Sequence, residues 1–392
     1  MADRSRDLAA GVRELMTAAL TADTYSGATC RVAIEGDEVA SVAVGVLARI
    51  DDSGDEVSVD ARQPVTEATL FDLASITKTY SAHTLLALVR VGVLDLDRPI
   101  ADRLPTYREP VRREVTLRHL LTHTAGLPST WQGWRPALAE LLGARRAVPA
   151  TPTLFRSTPL TDRGALLDDL LRTPLTAAPG VRFEYSCTGY NTAMALAETA
   201  TGRPWSDLVD EFTLAPLGLA DTGFTPEVDR SAATEYQPEF GRGVVRGIVH
   251  DEAAWSLGGA CANAGLFASS SDLLAWGRSS ARAAPPSRRP TCGTTSFPPS
   301  SGPGRPQRAN SVPVWGCASV RPRGWAARRP DRAATPASRG HRCRPTAPPA
   351  SPSRSSPTTS TPTARRTASP LSAAPLPMPR SRQRRSDTKG RS

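Results

Sequence analysis

The stretch FDLASITK, residues 71–78, decides how this chain is interpreted. An apolar pattern continues from it to Gly92 and predicts a helix that begins near Ser75 and ends at that glycine. Ser75 and Lys78 are three residues apart, so they share one face of the predicted helix. A serine hydroxyl is a weak nucleophile until a base removes its proton, and a desolvated lysine can be that base. The pair therefore indicates nucleophilic catalysis.

Lys78 also stands out in the composition. It is the only lysine in residues 1–280, where arginine supplies every other basic side chain. A solvated surface charge could equally be arginine, whereas an amine that must give up its proton could not, because a guanidinium stays protonated. The S-x-x-K pattern is short enough to arise by chance, so its weight depends on the neighbouring segments.

Three other segments support it: VTLRHLLTHTAGLP at 115–128, FEYSCTGYN at 183–191, and a run at 247–267 that contains GIVHDE, GG and AGLF. Together with residues 71–78 they resemble the serine β-lactamase and penicillin-binding-protein superfamily, and most closely its class C β-lactamase-like serine hydrolases and esterases. S-x-x-K is a signature of this group. The resemblance covers about residues 28–278, with the segments in the expected order.

The resemblance implies a role for three side chains. Ser75 is the acylated nucleophile, Lys78 is its activating base, and Tyr185 is the phenol that passes a proton to the leaving group and helps to activate water. The alternative for Tyr185 is a buried aromatic residue with a satisfied hydroxyl. Cys187 stands where the family usually has asparagine, and a thiol cannot donate an amide hydrogen bond to a substrate carbonyl. Carboxylic esters are therefore better supported as substrates than β-lactams or D-Ala peptides.

The remaining polar groups favour structural roles. His119 and His123 have a spacing that could bind zinc, but the H-E-x-x-H pattern is absent and the family uses this segment structurally. The run His250-Asp251-Glu252 is expected to brace the site entrance as a polar loop. Cys187 as an independent nucleophile is a further alternative, although no base is visible beside it. No two of the six cysteines have C-x-x-C spacing, so we expect neither a metal site nor a disulfide framework, and no cofactor is implied.

The fold class implied by the resemblance is α/β plus α. It consists of a β-lactamase-like antiparallel sheet flanked by helices, with an all-helical subdomain over about residues 80–245. Two β-branched runs, 28–34 and 39–46, are separated by Glu35-Gly36-Asp37 and predict a hairpin of that sheet. An amphipathic helix over the first twenty residues and the Ser75 helix are expected to flank it.

The charge divides the chain into two parts. Residues 281–392 contain 21 arginines and one lysine against Asp331 and Asp387, together with 21 of the 36 prolines. This part therefore has a net charge of +20, whereas residues 1–280 have −10. Sparse, unpatterned apolar residues cannot build a core, so the composition predicts a hydrolase domain over 1–280 and a disordered basic Pro/Arg/Ser-rich tail over 281–392.

One motif that the family requires is missing from the chain. This is H/K-[T/S]-G on a core strand beside the nucleophile, where a backbone N–H completes the oxyanion hole, and it does not occur after residue 278. Loss of one such donor costs about 10²–10³ in rate. If the codons of residues 333–341 are shifted by one base, synonymous choices permit GHTGFTGT, which contains the motif. A frameshift near 277–280 is therefore the preferred account of the tail, and we expect the chain as printed to fold poorly and to be nearly inactive.

The resulting prediction is a serine hydrolase that acts on a small-molecule ester or amide through an acyl-enzyme at Ser75. No stretch approaches the roughly 18 apolar residues of a membrane span, and no signal peptide is seen, so we expect a cytoplasmic protein without membrane contacts. Two other classes stay open. One is a catalytically dead, penicillin-binding-like binding protein, and the other is a protein whose basic tail binds nucleic acid, which the lack of interleaved aromatic residues disfavours.

Overall fold

The computed structural model describes residues 2–144, 160 and 162–283. Its helices are α1 (Ala2–Thr21), α2 (Thr77–Arg90), α3 (Leu117–Leu121), α4 (Trp134–Ala144), α5 (Arg163–Leu171), α6 (Cys187–Thr201), α7 (Trp205–Val209), α8 (Ala215–Leu217), α9 (Glu252–Ser256) and α10 (Ser270–Ala283). Its strands are β1 (Gly27–Ile34), β2 (Asp37–Gly45), β3 (Phe71–Asp72), β4 (Ala233–Gln237), β5 (Gly243–Arg246) and β6 (Phe267–Ala268). The predicted tail lies outside the described residues, apart from the end of α10.

The predicted hairpin is present at the start of the fold. Strands β1 and β2 pair antiparallel from Gly27 opposite Gly45 to Ile34 opposite Asp37, with an irregularity after Val32. Glu35 and Gly36 connect them with φ values of +54° and +100°. Two positive φ values in succession are typical of the two-residue turns whose twist matches that of a hairpin. This part of the sequence therefore determines its structure locally.

The hairpin is covered by helices on both sides. Val12 and Met16 of α1 pack against the buried Val42 and Val44 of β2. Helix α10 lies along β1, where Arg31 Nε donates to Ser270 Oγ at 3.2 Å. Helix α10, and not the Ser75 helix α2 that is expected from the sequence, therefore flanks the hairpin on this side.

Helix α10 bridges the hairpin and α2. Its Trp276 stacks on Tyr80 of α2, with ring centroids 4.2 Å apart. Tyr80, Leu85 and Leu88 of α2 are buried in the main core together with residues of the helices between α2 and α9. Helix α2 contributes buried side chains to this core along most of its length. The more amphipathic α10, which has one apolar face, packs against β1 instead.

The strands of the described residues form three antiparallel pairs, β1–β2, β3–β6 and β4–β5. The helical region predicted over 80–245 also contains β4, and β5 follows at its end. The short pair β3–β6 is the one that positions the candidate site, since Ser75 follows β3 directly. No helix in the described part of the chain combines the length and hydropathy that a membrane span requires.

Candidate active site

Ser75 lies at a sharp transition from strand to helix. Strand β3 ends at Asp72, a short 3₁₀ turn covers Ala74–Ile76, and α2 begins at Thr77. Ala74 has a φ of +44°, an uncommon conformation for a residue with a Cβ atom. Ser75 itself is exposed. The turn thus presents the hydroxyl to solvent at the start of a helix, where backbone N–H groups have no intrahelical acceptor.

Asp72 holds this turn in place. Its Oδ1 accepts a hydrogen bond from the backbone N–H of Ala74 at 2.7 Å, and its Oδ2 accepts one from the backbone N–H of His250 at 2.7 Å. Burial raises the pKa of the Asp72 carboxyl, and these two hydrogen bonds lower it. The carboxylate thereby joins the strained turn to the segment before α9.

Lys78, in the first turn of α2, contacts the serine. Its Nζ donates to Ser75 Oγ at 3.0 Å and to the backbone carbonyl of Asn263 at 2.9 Å, and the side chain is only 4% exposed. Among the described residues it forms no ion pair with a carboxylate. Ser75 and Lys78 therefore lie on the same side of the helical segment, as their three-residue spacing predicts.

Tyr185 lies on the other side of the amine. Its ring centroid is 5.0 Å from Lys78 Nζ, and that of Tyr190 is 5.8 Å away, so two aromatic faces flank this nitrogen. Tyr185 is 43% exposed, which differs from the buried aromatic residue that was its alternative interpretation. The structure thus brings Ser75 and Tyr185 to the amine of Lys78.

His123 was missed by the sequence interpretation as a member of this cluster. Its ring lies 4.6 Å from that of Tyr185 and 5.2 Å from that of Tyr190, and its Nδ1 accepts the backbone N–H of Ser186 at 3.0 Å. The side chain therefore supports the backbone on which Tyr185 is carried. Its position in the HLLTHTAGL segment was visible in the sequence, but its contact with residues 185–190 was not.

Burial and the nearby positive charge of Lys78 lower the pKa of His123 below its ordinary 6.5, so the imidazole is neutral at neutral pH. Burial also raises the pKa of Tyr190 to about 12. Neither group therefore adds a second charge beside the amine at neutral pH.

Two asparagines complete the surroundings of Lys78, and neither was predicted. Asn191 is 1% exposed, and its Oδ1 accepts the backbone N–H of Asn263 at 3.1 Å. The carbonyl of Asn263 in turn accepts from Lys78. The Asn263 amide is fully buried, and neither of its side-chain polar atoms has a hydrogen-bond partner. These contacts join α6 to the amine through the backbone of one residue, Asn263.

The other candidate residues lie in separate environments. The Cys187 N–H donates to the Ser129 carbonyl at 2.8 Å as α6 begins. His119 accepts the N–H of Thr116 in a capping box, so it and His123 serve different backbone groups. His250 Nε2 contacts Glu235 Oε2 at 2.6 Å. The described residues contain no group of three His, Cys, Asp or Glu side chains arranged to hold a metal ion.

With this geometry in place, comparison with known proteins identifies the family. The family model described as Beta-lactamase matches residues 12–318. The chain belongs to that family. The match continues past residue 280, into the segment that the sequence analysis assigned to the tail.

Two curated relatives show how far the likeness extends. A protein of Escherichia coli (strain K12), provisionally named a D-alanyl-D-alanine carboxypeptidase, is 33% identical over 241 residues, which are 55% of this chain and 52% of that protein. Esterase EstB of Burkholderia gladioli is 33% identical over 242 residues, which are 59% of this chain and 56% of that protein. The chain thus spans about half the length of the curated relatives it matches.

A solved structure confirms the fold class. A class C β-lactamase crystal structure superimposes with a TM-score of 0.51 at 20% sequence identity, over 71% of this chain and 65% of that one. At this identity the likeness concerns the fold. The β-lactamase-like α/β plus α architecture expected from the sequence is therefore correct.

Proposed function

We propose that this protein is a serine hydrolase that acts on a small-molecule ester or amide through an acyl-enzyme at Ser75. The observation that carries the proposal is the 3.0 Å contact between the exposed Ser75 hydroxyl and the buried Lys78 amine. A nucleophile and base within hydrogen-bond reach, with the base oriented by a third group, are the signature of covalent catalysis. Here the carbonyl of Asn263 is the orienting group.

The first chemical step uses Lys78 in its amine form. It accepts the Ser75 proton along the existing contact while Oγ attacks the substrate carbonyl carbon and the carbonyl π electrons move to oxygen. The backbone N–H of Ser75, at the start of the helical segment, is available to the resulting oxyanion. The helix N-terminus also favours negative charge there.

Tyr185 has the second proton-transfer role in this proposal. Its ring lies beside Lys78 and it is partly exposed, so its hydroxyl can pass a proton to the departing alcohol or amine as the tetrahedral intermediate collapses. The resulting phenolate then takes a proton from the water that attacks the acyl-enzyme. As the acid leaves, the Lys78 ammonium returns its proton to Ser75 Oγ, which restores the serine.

Carboxylic esters are the preferred substrate class. One relative is named an esterase and another is provisionally named a D-alanyl-D-alanine carboxypeptidase, so the names of similar proteins include both ester and amide substrates. Cys187 cannot donate the amide hydrogen bond that an asparagine would offer at this position. An ester places fewer demands on such a donor than a β-lactam or peptide does.

Covalent labelling with a fluorophosphonate probe tests the proposal. The wild-type protein should be labelled, Ser75→Ala should lose labelling, and Ser53→Ala, which removes an exposed loop serine, is the matched control. A labelled penicillin in parallel distinguishes ester from β-lactam specificity. Undiminished labelling of Ser75→Ala would show that Ser75 is not the nucleophile. If the wild-type protein is not labelled but binds penicillin reversibly, the binding-only alternative is favoured.

The domain organisation is a second proposal, supported by composition. The hydrolase domain ends near residue 280, and the basic segment over 281–392 results from a one-base change of reading frame. Because the family match continues to residue 318, the DNA between codons 270 and 350 is the decisive observation. Two genes should be expressed in parallel: one encodes the chain as its sequence stands, and the other carries a one-base shift after codon 278. The protein from the shifted gene should be more soluble and more active. Equal solubility and activity of the two would contradict the frameshift.

We also propose a cytoplasmic location. The thiols of Cys187 and Cys261 are free, as is usual in a reducing compartment. Fractionation of the producing cell tests this, and recovery in an extracytoplasmic fraction would contradict it.

A further inference from the structure

A row of exposed apolar side chains leads away from the candidate site. Val181, Phe183 and Tyr185 are 74%, 67% and 43% exposed. They are three of the nine large apolar side chains that are exposed in the described part of the chain, and they lie within five residues. Isolated exposed apolar residues need no explanation, whereas a cluster at a site does. We call these three side chains the apolar strip.

The charged residues of this segment pair with each other and with a neighbouring threonine. The residues that alternate with the strip, Arg182 and Glu184, form an ion pair, and Thr176 bonds to both. The Glu184 N–H donates to the His123 carbonyl at 2.8 Å. Glu184 and Thr176 thus hold the segment in place, and the three apolar side chains remain exposed to solvent.

The strip is continuous with the reacting groups. The His123 ring contacts Phe183 edge-on at 5.8 Å between centroids and Tyr185 at 4.6 Å, so both side chains lie against one imidazole. Tyr185 in turn lies over Lys78, which contacts Ser75. Burial and the charge of Lys78 lower the pKa of His123, so this ring adds no charge between Tyr185 and Phe183 at neutral pH.

We propose that the apolar strip is a substrate subsite that binds the apolar leaving group of an ester, an aryl or alkyl alcohol, with Phe183 as its main specificity-determining residue. This rests on the proposed function, in which Tyr185 protonates the leaving group. The leaving group must then lie at Tyr185, and Phe183 is the next apolar surface beyond it. The acyl group is bound on the other side of the Ser75 hydroxyl.

Leaving groups that differ in size but hardly in acidity test this assignment. Phenyl acetate and 4-butylphenyl acetate form such a pair, and phenyl hexanoate extends the acyl side instead. In the wild type, kcat/KM should rise about tenfold from phenyl to 4-butylphenyl acetate, because an open strip covers the butyl group on one side only. Phe183→Ala should abolish most of this preference, and Phe183→Leu should restore part of it. Val59→Ala, which removes an equally exposed apolar side chain outside the site, should change nothing.

A measurement without turnover separates this proposal from the proposed function. Binding of 4-butylphenyl acetate to Ser75→Ala, followed by saturation-transfer NMR, should weaken severalfold when Phe183→Ala is added. If no ester is hydrolysed but this weakening is seen, the proposed function fails and the subsite stands. An unchanged preference and unchanged binding in Phe183→Ala would overturn the subsite. A loss confined to phenyl hexanoate would overturn its assignment to the leaving group.

Discussion

The two segments that form the candidate site are held in opposite ways. Around Ser75 and Lys78, hydrogen bonds determine the geometry: Asp72 clamps the turn, and the Asn263 carbonyl holds an amine that is 4% exposed. Around Tyr185, ring contacts with His123 and Lys78 determine it, and the side chain is 43% exposed. Directional bonds in a buried place tolerate little change, whereas stacked rings tolerate more. Substitutions in the first segment should therefore cost more.

The largest effect is expected for Lys78→Arg. A guanidinium cannot take the Ser75 proton, and its planar fork does not fit a position with two acceptors around one nitrogen. We expect the rate of acylation by a fluorophosphonate to fall by about a thousandfold, within the range of general-base catalysis. The reverse exchange Arg90→Lys, at the exposed end of the same helix, should leave the rate unchanged. Retention of more than a tenth of the rate by Lys78→Arg would mean that the amine is not the base.

A smaller effect is expected for Asn191→Ala, which does not touch Ser75. The change removes the acceptor for the buried N–H of Asn263 and so loosens the carbonyl that holds Lys78. An unpaired buried donor costs about 1–3 kcal/mol. We expect a lower Tm and an acylation rate reduced about tenfold, with KM little changed.

The control for Asn191→Ala is Met194→Ala, a buried residue of the same helix whose sulfur lies 4.0 Å from a guanidinium nitrogen of Arg163. It should lower Tm by a similar amount through the cavity it leaves. If it slows acylation as much as Asn191→Ala does, the effect of Asn191 is one of stability and not of positioning the lysine.

The smallest effect concerns the aromatic side of the site and its pH dependence. The pKa of His123 lies below 6.5 in the folded protein, so the unfolded chain binds this proton more readily. Stability is therefore lost as pH falls below about 6.5 and through the folded pKa. His123→Gln cannot be protonated, so its Tm should decrease less between pH 7 and 5, by about 2 °C. Equal slopes in the wild type and in His123→Gln would contradict the assignment.

Much of the fold was predictable because it depends on local patterns. The Glu35-Gly36 turn and the two β-branched runs determine the hairpin, and helices appear near the predicted positions of α2, α3 and α6. The pair β4–β5 was not predicted, since its strands are only five and four residues long and lie between loops. Short strands give too few alternations for a pattern to be recognised.

The candidate site divides in the same way. The sequence by itself determined that Ser75 and Lys78 meet, because a three-residue spacing on a helix brings two side chains together whatever surrounds it. The family resemblance added Tyr185, which the structure places beside the same amine.

Only the tertiary structure decided what surrounds Lys78. Asn263 lies 185 positions from it in the chain, and His123 lies 63 positions from Ser186, whose N–H it accepts. Such contacts depend on which helix faces pack together and on backbone groups that nearly every residue possesses. No residue type or spacing in the sequence therefore predicts them. The exposure of the apolar side chains at 181, 183 and 185 was equally hidden, because alternation shows that two faces differ but not which one meets the protein.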